Sequence, residues 1–155
     1  MRSHPKVNGL PLPEVLVLLM RQGRWIHPGD ARLREVIPFL IEPVDFLGSA
    51  KAMAAESTGF LADNPRDSRI FHEVRGSRLA EPVELPWRDV ERSLLVAVNR
   101  YPGDDVGIGL DYRTDDTDPR VIASDWGTGE VCLWREVAPT FSEFARRLGL
   151  GHRTI

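Results

Sequence analysis

The chain has one cysteine and two lysines among its 155 residues. A lone thiol, Cys132, cannot form an internal disulfide, and its place in an apolar run reads as a buried side chain rather than a reactive one. Long apolar runs are missing as well: the longest, Val15 to Met20, is far short of the roughly 20 residues a membrane helix needs. Met1 to Lys6 has neither the apolar core nor the small-residue cleavage site of a secretory leader, so a cytoplasmic protein with no membrane partner is expected. Metal and nucleotide signatures are absent. His4, His27, His72 and His152 are dispersed, without His-x-x-x-His or Cys-x-x-Cys spacing. The glycines from Gly103 to Gly109 lie between two strand-like runs, so no helix N-terminus follows them to hold a phosphate. No Gly-x-Ser-x-Gly elbow occurs. The expectation is a protein that is not an enzyme and takes no cofactor and no metal.

A net charge of −3 and a pI near 5.8 argue against a nucleic-acid partner, for which a basic face is the usual footprint. The distribution says more than the sum. Residues 1 to 40 carry six bases and three acids, whereas residues 103 to 130 carry eight acids against only Arg113 and Arg120. The eighteen arginines that stand beside two lysines read as a bias of the genome before one of function. Trp25, Trp87, Trp126 and Trp134 lack basic neighbours in clusters, which favours core positions over a base-stacking platform.

What is present is a strand pattern. Leu94 to Val98 is a continuous apolar run of strand length, suited to a strand buried on both faces. Val106 to Tyr112 alternates, with Val106, Ile108, Leu110 and Tyr112 on one face and Gly107, Gly109, Asp111 and Arg113 on the other. Pro102-Gly103-Asp104-Asp105 between them supplies a reversing turn, so the two runs pair as an antiparallel hairpin. Arg120 to Trp126 alternates again, and Gly127-Thr128-Gly129 turns the chain into Val131 to Trp134. Helices are expected over Glu14 to Gln22 with Pro13 in the first turn, over Ala31 to Ile37 with Asp30 as cap, and over Ala50 to Ser57 capped by Ser49. A last helix runs from Phe141 to Leu148, opened by a Thr140-x-x-Glu143 capping box. Residues 39 to 47 form at best an irregular edge because of Pro43. Residues 62 to 69 read as a polar loop, Ile70 to Val74 as a short strand, and 85 to 91 as room for one helical turn. The fold class is therefore α+β: a single domain over residues 1–155, a mostly antiparallel meander of about four to six strands, and N-terminal and C-terminal helices packed on it. Residues 1–9 and 151–155 are expected to be flexible tails.

Candidate site residues lie around the central hairpin. Asp111 and Arg113 stand two apart on one strand face, either as an ion pair closing the sheet edge or as a pair facing a partner. Asp104, Asp105, Asp115, Asp116 and Asp118 lack the Asp-x-Asn-x-Asp-Gly spacing of a calcium loop and read as solvated carboxylates. Pro13, Gly107, Gly109, Trp126, Phe141 and Phe144 are structural candidates. The two glycines leave a smooth strip on which a helix or a large side chain can lie.

Several segments together resemble the SUKH superfamily, which includes the Smi/Knr cell-wall-assembly regulators. Val106-Gly107-Ile108-Gly109-Leu110-Asp111-Tyr112-Arg113, followed by Pro119-Arg120-Val121-Ile122, is similar to the family's core hairpin. Val137-Ala138-Pro139-Thr140-Phe141-Ser142-Glu143-Phe144 resembles its closing helix, and Leu12-Pro13-Glu14 the entry to its first helix. Residues 39 to 80 depart from the pattern. The resemblance implies a mixed α+β domain that binds proteins and has no catalytic centre, and many bacterial members look like immunity proteins that neutralise toxin domains. On that footing Asp104, Asp105, Asp111, Arg113, Asp115, Asp116 and Asp118 are expected to face a toxin domain of the nuclease or deaminase type. The alternatives are a regulatory scaffold for endogenous partners and, last, a metal-dependent hydrolase built on the carboxylates.

Overall fold

Among the described residues, five antiparallel strands carry the molecule, and four helices and a small hairpin lie on them. A computed structural model describes residues 5–40, 42–57, 85, 88, 92–101, 106–126 and 133–150. In chain order the elements are β1 (Lys6–Val7), β2 (Leu10–Pro11), α1 (Glu14–Arg21), α2 (Asp30–Val36), β3 (Val44–Phe46), α3 (Ala50–Ser57), β4 (Ser93–Asn99), β5 (Gly107–Asp111), β6 (Arg120–Asp125), β7 (Leu133–Ala138) and α4 (Phe141–Arg147). The main sheet has the order β3-β4-β5-β6-β7, so every connection joins spatial neighbours. The α+β class and the antiparallel meander are as the sequence reads. The strand expected at residues 70 to 74, the polar loop at 62 to 69, the turn of helix at 85 to 91, Trp87, Cys132 and the tail after Leu150 lie wholly or mostly outside the described residues.

Alternation along the strands sorts the apolar side chains onto two faces. Ile108, Leu110, Tyr112, Val121 and Ala123 join the helices' Leu16, Leu33, Met53, Phe141 and Phe144 in the larger core. Leu95, Val98, Ile122 and Trp134 form a second cluster on the opposite face. Gly107 and Gly109 belong to that second face and explain its closeness. A Cβ at Gly109 would stand 3.1 Å from the Leu94 carbonyl oxygen and 3.6 Å from Leu95, and one at Gly107 would meet the Trp134 ring at 3.8 Å. The smooth strip is there, and the large side chain lying along it is Trp134. A bulge between Leu95 and Ala97 breaks the β4–β5 register. There the buried Ser57 hydroxyl at the end of α3 accepts the Leu95 N–H at 2.8 Å, so that donor keeps a partner at the distortion.

Four local expectations need correction. Residues 6 to 9 are part of a hairpin rather than of a tail over 1–9: β1 and β2 pair around Asn8 (φ 55°) and Gly9 (φ 78°), the left-handed pair that an Asn-Gly hairpin turn demands. Pro13 occupies the N-cap position of α1 rather than its first turn. Asp30 lies inside α2, whose cap is Gly29 at φ 107°; a side chain there would be strained, whereas a carboxylate one residue later still favours the helix N-terminus. Along α1 the buried residues are Leu16, Val17 and Leu19, while Leu18 faces solvent. Ser49 does cap α3, accepting the Ala52 N–H, and Thr140 caps α4, accepting the Glu143 N–H. The Glu143 carboxylate, however, binds Arg146 and Arg147, so only half of the capping box is used.

Both sheet edges are blunted. β7 extends to Ala138, beyond its expected end at Trp134, because Arg135 and Glu136 are tolerated on an exposed edge. Its register shifts near Val137, whose carbonyl accepts Arg147 at 2.8 Å. At the other edge β3 has only three residues, and Arg100 donates to the Val44 carbonyl. Among the described residues no helix is long and apolar enough to cross a membrane.

Candidate functional site: the two ends of the central hairpin

β5 separates the predicted site residues into two groups. Asp111, Arg113, Asp115, Asp116 and Asp118 cluster at and just beyond its C-terminal end. Asp104 and Asp105 lie outside the described residues, and Tyr101 and Val106 are at the other end of β5. Five strand residues span about 17 Å, more than a Debye length at physiological salt, which is about 8 Å.

At the first end, Asp111 is fully buried (0% exposed). Its carboxylate accepts Arg113 Nε at 2.9 Å, Arg113 Nη2 at 2.9 Å and Arg120 Nε at 2.8 Å, and also the backbone N–H of Arg113 at 3.1 Å. Arg113 precedes the turn 114–119 and Arg120 follows it, so one carboxylate clamps both ends of that turn. Burial alone would raise the Asp111 carboxyl; the bonds from Arg113 and Arg120 outweigh it and hold the group below its ordinary value. Glu136 adds a second carboxylate to the cluster, 3.7 Å from Arg120. The ion-pair reading of Asp111 and Arg113 is what the geometry shows. A carboxylate with no exposed surface is placed to hold the turn rather than to touch a partner.

Within the turn the carboxylates differ in role. Asp115 Oδ1 accepts the Asp118 N–H at 3.0 Å and the Thr117 N–H and hydroxyl at 2.7 and 2.8 Å, and these bonds hold its carboxyl below the ordinary range. Asp118 accepts the Ser142 N–H at 3.1 Å, tying the turn to the first turn of α4. Asp116 is 78% exposed and stands 3.5 Å from Arg92. The outward charge at this end is that of Asp115 and Asp116.

At the second end, Arg100 joins three elements that the sequence keeps apart. Its guanidinium is bidentate on Asp30 of α2 at 3.0 Å for each bond, and its Nε donates to Asp45 of β3 at 2.7 Å. Hydrogen bonds from Arg100 hold Asp30 below its ordinary value, and the two carboxylates push the guanidinium higher still. His27 stands 3.4 Å from Asp30 through Nε2, while its Nδ1 accepts the Gly29 N–H. Its ring lies 5.0 Å from Phe46, which stacks on Trp25 at 4.3 Å; the Trp25 indole N–H donates to the Leu47 carbonyl. Sequence reading misses this cluster entirely. Its partners lie 55 and 70 positions from Arg100, so no local pattern signals it.

Of the structural candidates, Phe141 and Phe144 are fully buried and Trp126 is half-buried against both apolar clusters. The Tyr112 hydroxyl donates to the Pro11 carbonyl at 2.6 Å, locking the small hairpin to the sheet, and burial pushes its phenol well above the ordinary value. Fold and charge clusters together define an α+β domain with an antiparallel meander and opposed charged ends. Comparison of the chain with protein-family models, with curated proteins and with solved structures finds no match.

Proposed function

We propose that this is a non-catalytic, SUKH-type protein-binding domain that acts as an immunity protein, neutralising a basic toxin domain of the nuclease or deaminase type by direct contact. The observation that carries the reading is the acidic turn at residues 114–118. It is closed at its base by Asp111, braced by Asp115 and tied to α4 by Asp118, so its exposed carboxylates are held in place before a partner arrives. A pre-set surface loses little entropy on binding, and opposite charge speeds encounter. The hairpin and closing-helix resemblance supports the same class, and those segments are β5, β6 and α4.

The test is capture from host lysate with tagged protein at low and high salt, followed by identification of what is held. The expected result is a basic toxin domain, bound at low salt and released at high salt. Capture of cell-envelope or housekeeping proteins instead would shift the reading to a regulatory scaffold. With the toxin in hand, Asp115→Asn plus Asp116→Asn and Asp104→Asn plus Asp105→Asn are tested as separate pairs. Unchanged affinity in both would remove the acidic contribution.

A further inference from the structure

The acidic turn gives a partner one surface, and exposed apolar side chains point to a second at the opposite end of the sheet. Among the described residues the large hydrophobic side chains open to solvent are Leu18 (42%), Ile26 (60%) and Tyr101 (56%). Two of them border the same cluster: Ile26 is the chain neighbour of His27, and Tyr101 of Arg100, and Asp30 lies 3.4 Å from His27 and 3.0 Å from Arg100. Such single side chains are ordinary on a surface. Two of them beside one rigid charged cluster are a different matter, because binding energy concentrates where an apolar or tyrosine anchor sits next to a desolvated charge.

We propose that a basic protein surface docks at this end, with Ile26 and Tyr101 as apolar anchors and Asp30 and Asp45 as the charge complement. The proposal rests on the protein-binding reading and adds a second contact surface to the acidic turn. The charge follows from the pairing: two carboxylates share one guanidinium, leaving an acid excess that a partner's arginine or lysine can satisfy. Tyr101 adds a ring face that attracts the same cations. The floor is stiff, since Phe46 lies stacked on Trp25, and little order is lost on contact. Strand addition is disfavoured at this edge because Arg100 occupies the Val44 carbonyl, so side chains lead the contact. Leu18 suits another chemistry: it lines a shallow apolar groove with Val15, Leu19, Gln22 and Arg24, a few residues from Arg21, where the local charge is basic.

The experiment is a two-dimensional NMR titration of the full chain with the peptide amide Arg-Leu-Arg-Leu-Arg at low salt. The expected result is saturable shifts at the amides of Ile26, Asp45, Phe46 and Tyr101. Ile26→Ala combined with Tyr101→Ala weakens binding at least fivefold, and Leu18→Ala changes it less than twofold. All three are surface changes, and an unaltered spectrum elsewhere verifies the fold. Shifts confined to Asp115 through Asp118 overturn this assignment and leave the proposed function standing. Equal binding of Glu-Leu-Glu-Leu-Glu at the same amides overturns the charge complement, and no saturable shift overturns the surface; the lysate capture judges the function separately in both cases.

Discussion

Replacing Asp111 by Asn removes one charge and leaves the shape. In the native protein that carboxylate receives Arg113 through two nitrogens and Arg120 through Nε, all within 2.9 Å, with no exposed surface of its own. The amide keeps one acceptor oxygen and presents an NH₂ group to two guanidiniums, so cations that were paired now face each other. Removing one partner of a buried pair costs about 3–5 kcal/mol. Glu136 beside Arg120 offsets part of the exposed positive charge, which places the expectation near the lower bound, about 3 kcal/mol. For a chain of this size that is a fall in Tm of about 6–12 °C, a large share of a total stability of roughly 5–15 kcal/mol. The assay is urea unfolding followed by tryptophan fluorescence, with thermal unfolding by circular dichroism, and Asp116→Asn as the exposed comparator at no more than about 0.5 kcal/mol. Equal midpoint shifts for the two variants would refute the reasoning, since Asp111 would then act as a screened surface carboxylate.

Three further outcomes are expected. Gly109→Val forces a branched side chain against the Leu94 carbonyl, 3.1 Å from the Cβ position, and should cost about 2–3 kcal/mol, with the near-ultraviolet circular dichroism of the adjoining Trp134 cluster altered. Tyr112→Phe removes the bond to the Pro11 carbonyl and should cost about 1 kcal/mol; because the folded phenol is raised, wild-type stability falls as pH climbs past the unfolded value of about 10, and Tyr112→Phe flattens that fall in urea midpoints taken between pH 9 and 11. At low pH the sign reverses. Asp111 and Glu143 both titrate below their ordinary range when folded, Glu143 at about 2 through its bonds to Arg146 and Arg147. Their contribution is present above the unfolded carboxyl values and is lost as pH falls from about 4 toward 2, so urea midpoints drop across that window and the drop is smaller in Asp111→Asn.

Periodicity made β4, β5 and β6 legible, because each strand is buried on both faces and its alternation matches two apolar clusters. Helix α4 was legible from Thr140 and its apolar spacing, and the glycine strip from the absence of Cβ atoms on one face of β5. The β1–β2 hairpin carried a local signal too, Val7-Asn8-Gly9-Leu10, which a short strand on either side made easy to pass over. The site was harder. Spacing along one strand put Asp111 beside Arg113, but only the β5–β6 pairing brings Arg120 to the same carboxylate and turns an edge pair into a buried clamp. Acid count along the chain suggested one face, where a strand of five residues in fact holds Tyr101 and the acidic turn at opposite ends. The Arg100 cluster depends on contacts between α2, β3 and β4, and no local pattern encodes those.

The most direct measurement of the central claim is calorimetric titration of the captured toxin domain with the purified chain, read beside the toxin's own activity. The account predicts one-to-one binding with a nanomolar Kd at low salt, weaker at high salt, and toxin activity abolished at equivalence. Absence of binding, or tight binding that leaves the toxin fully active, would contradict it.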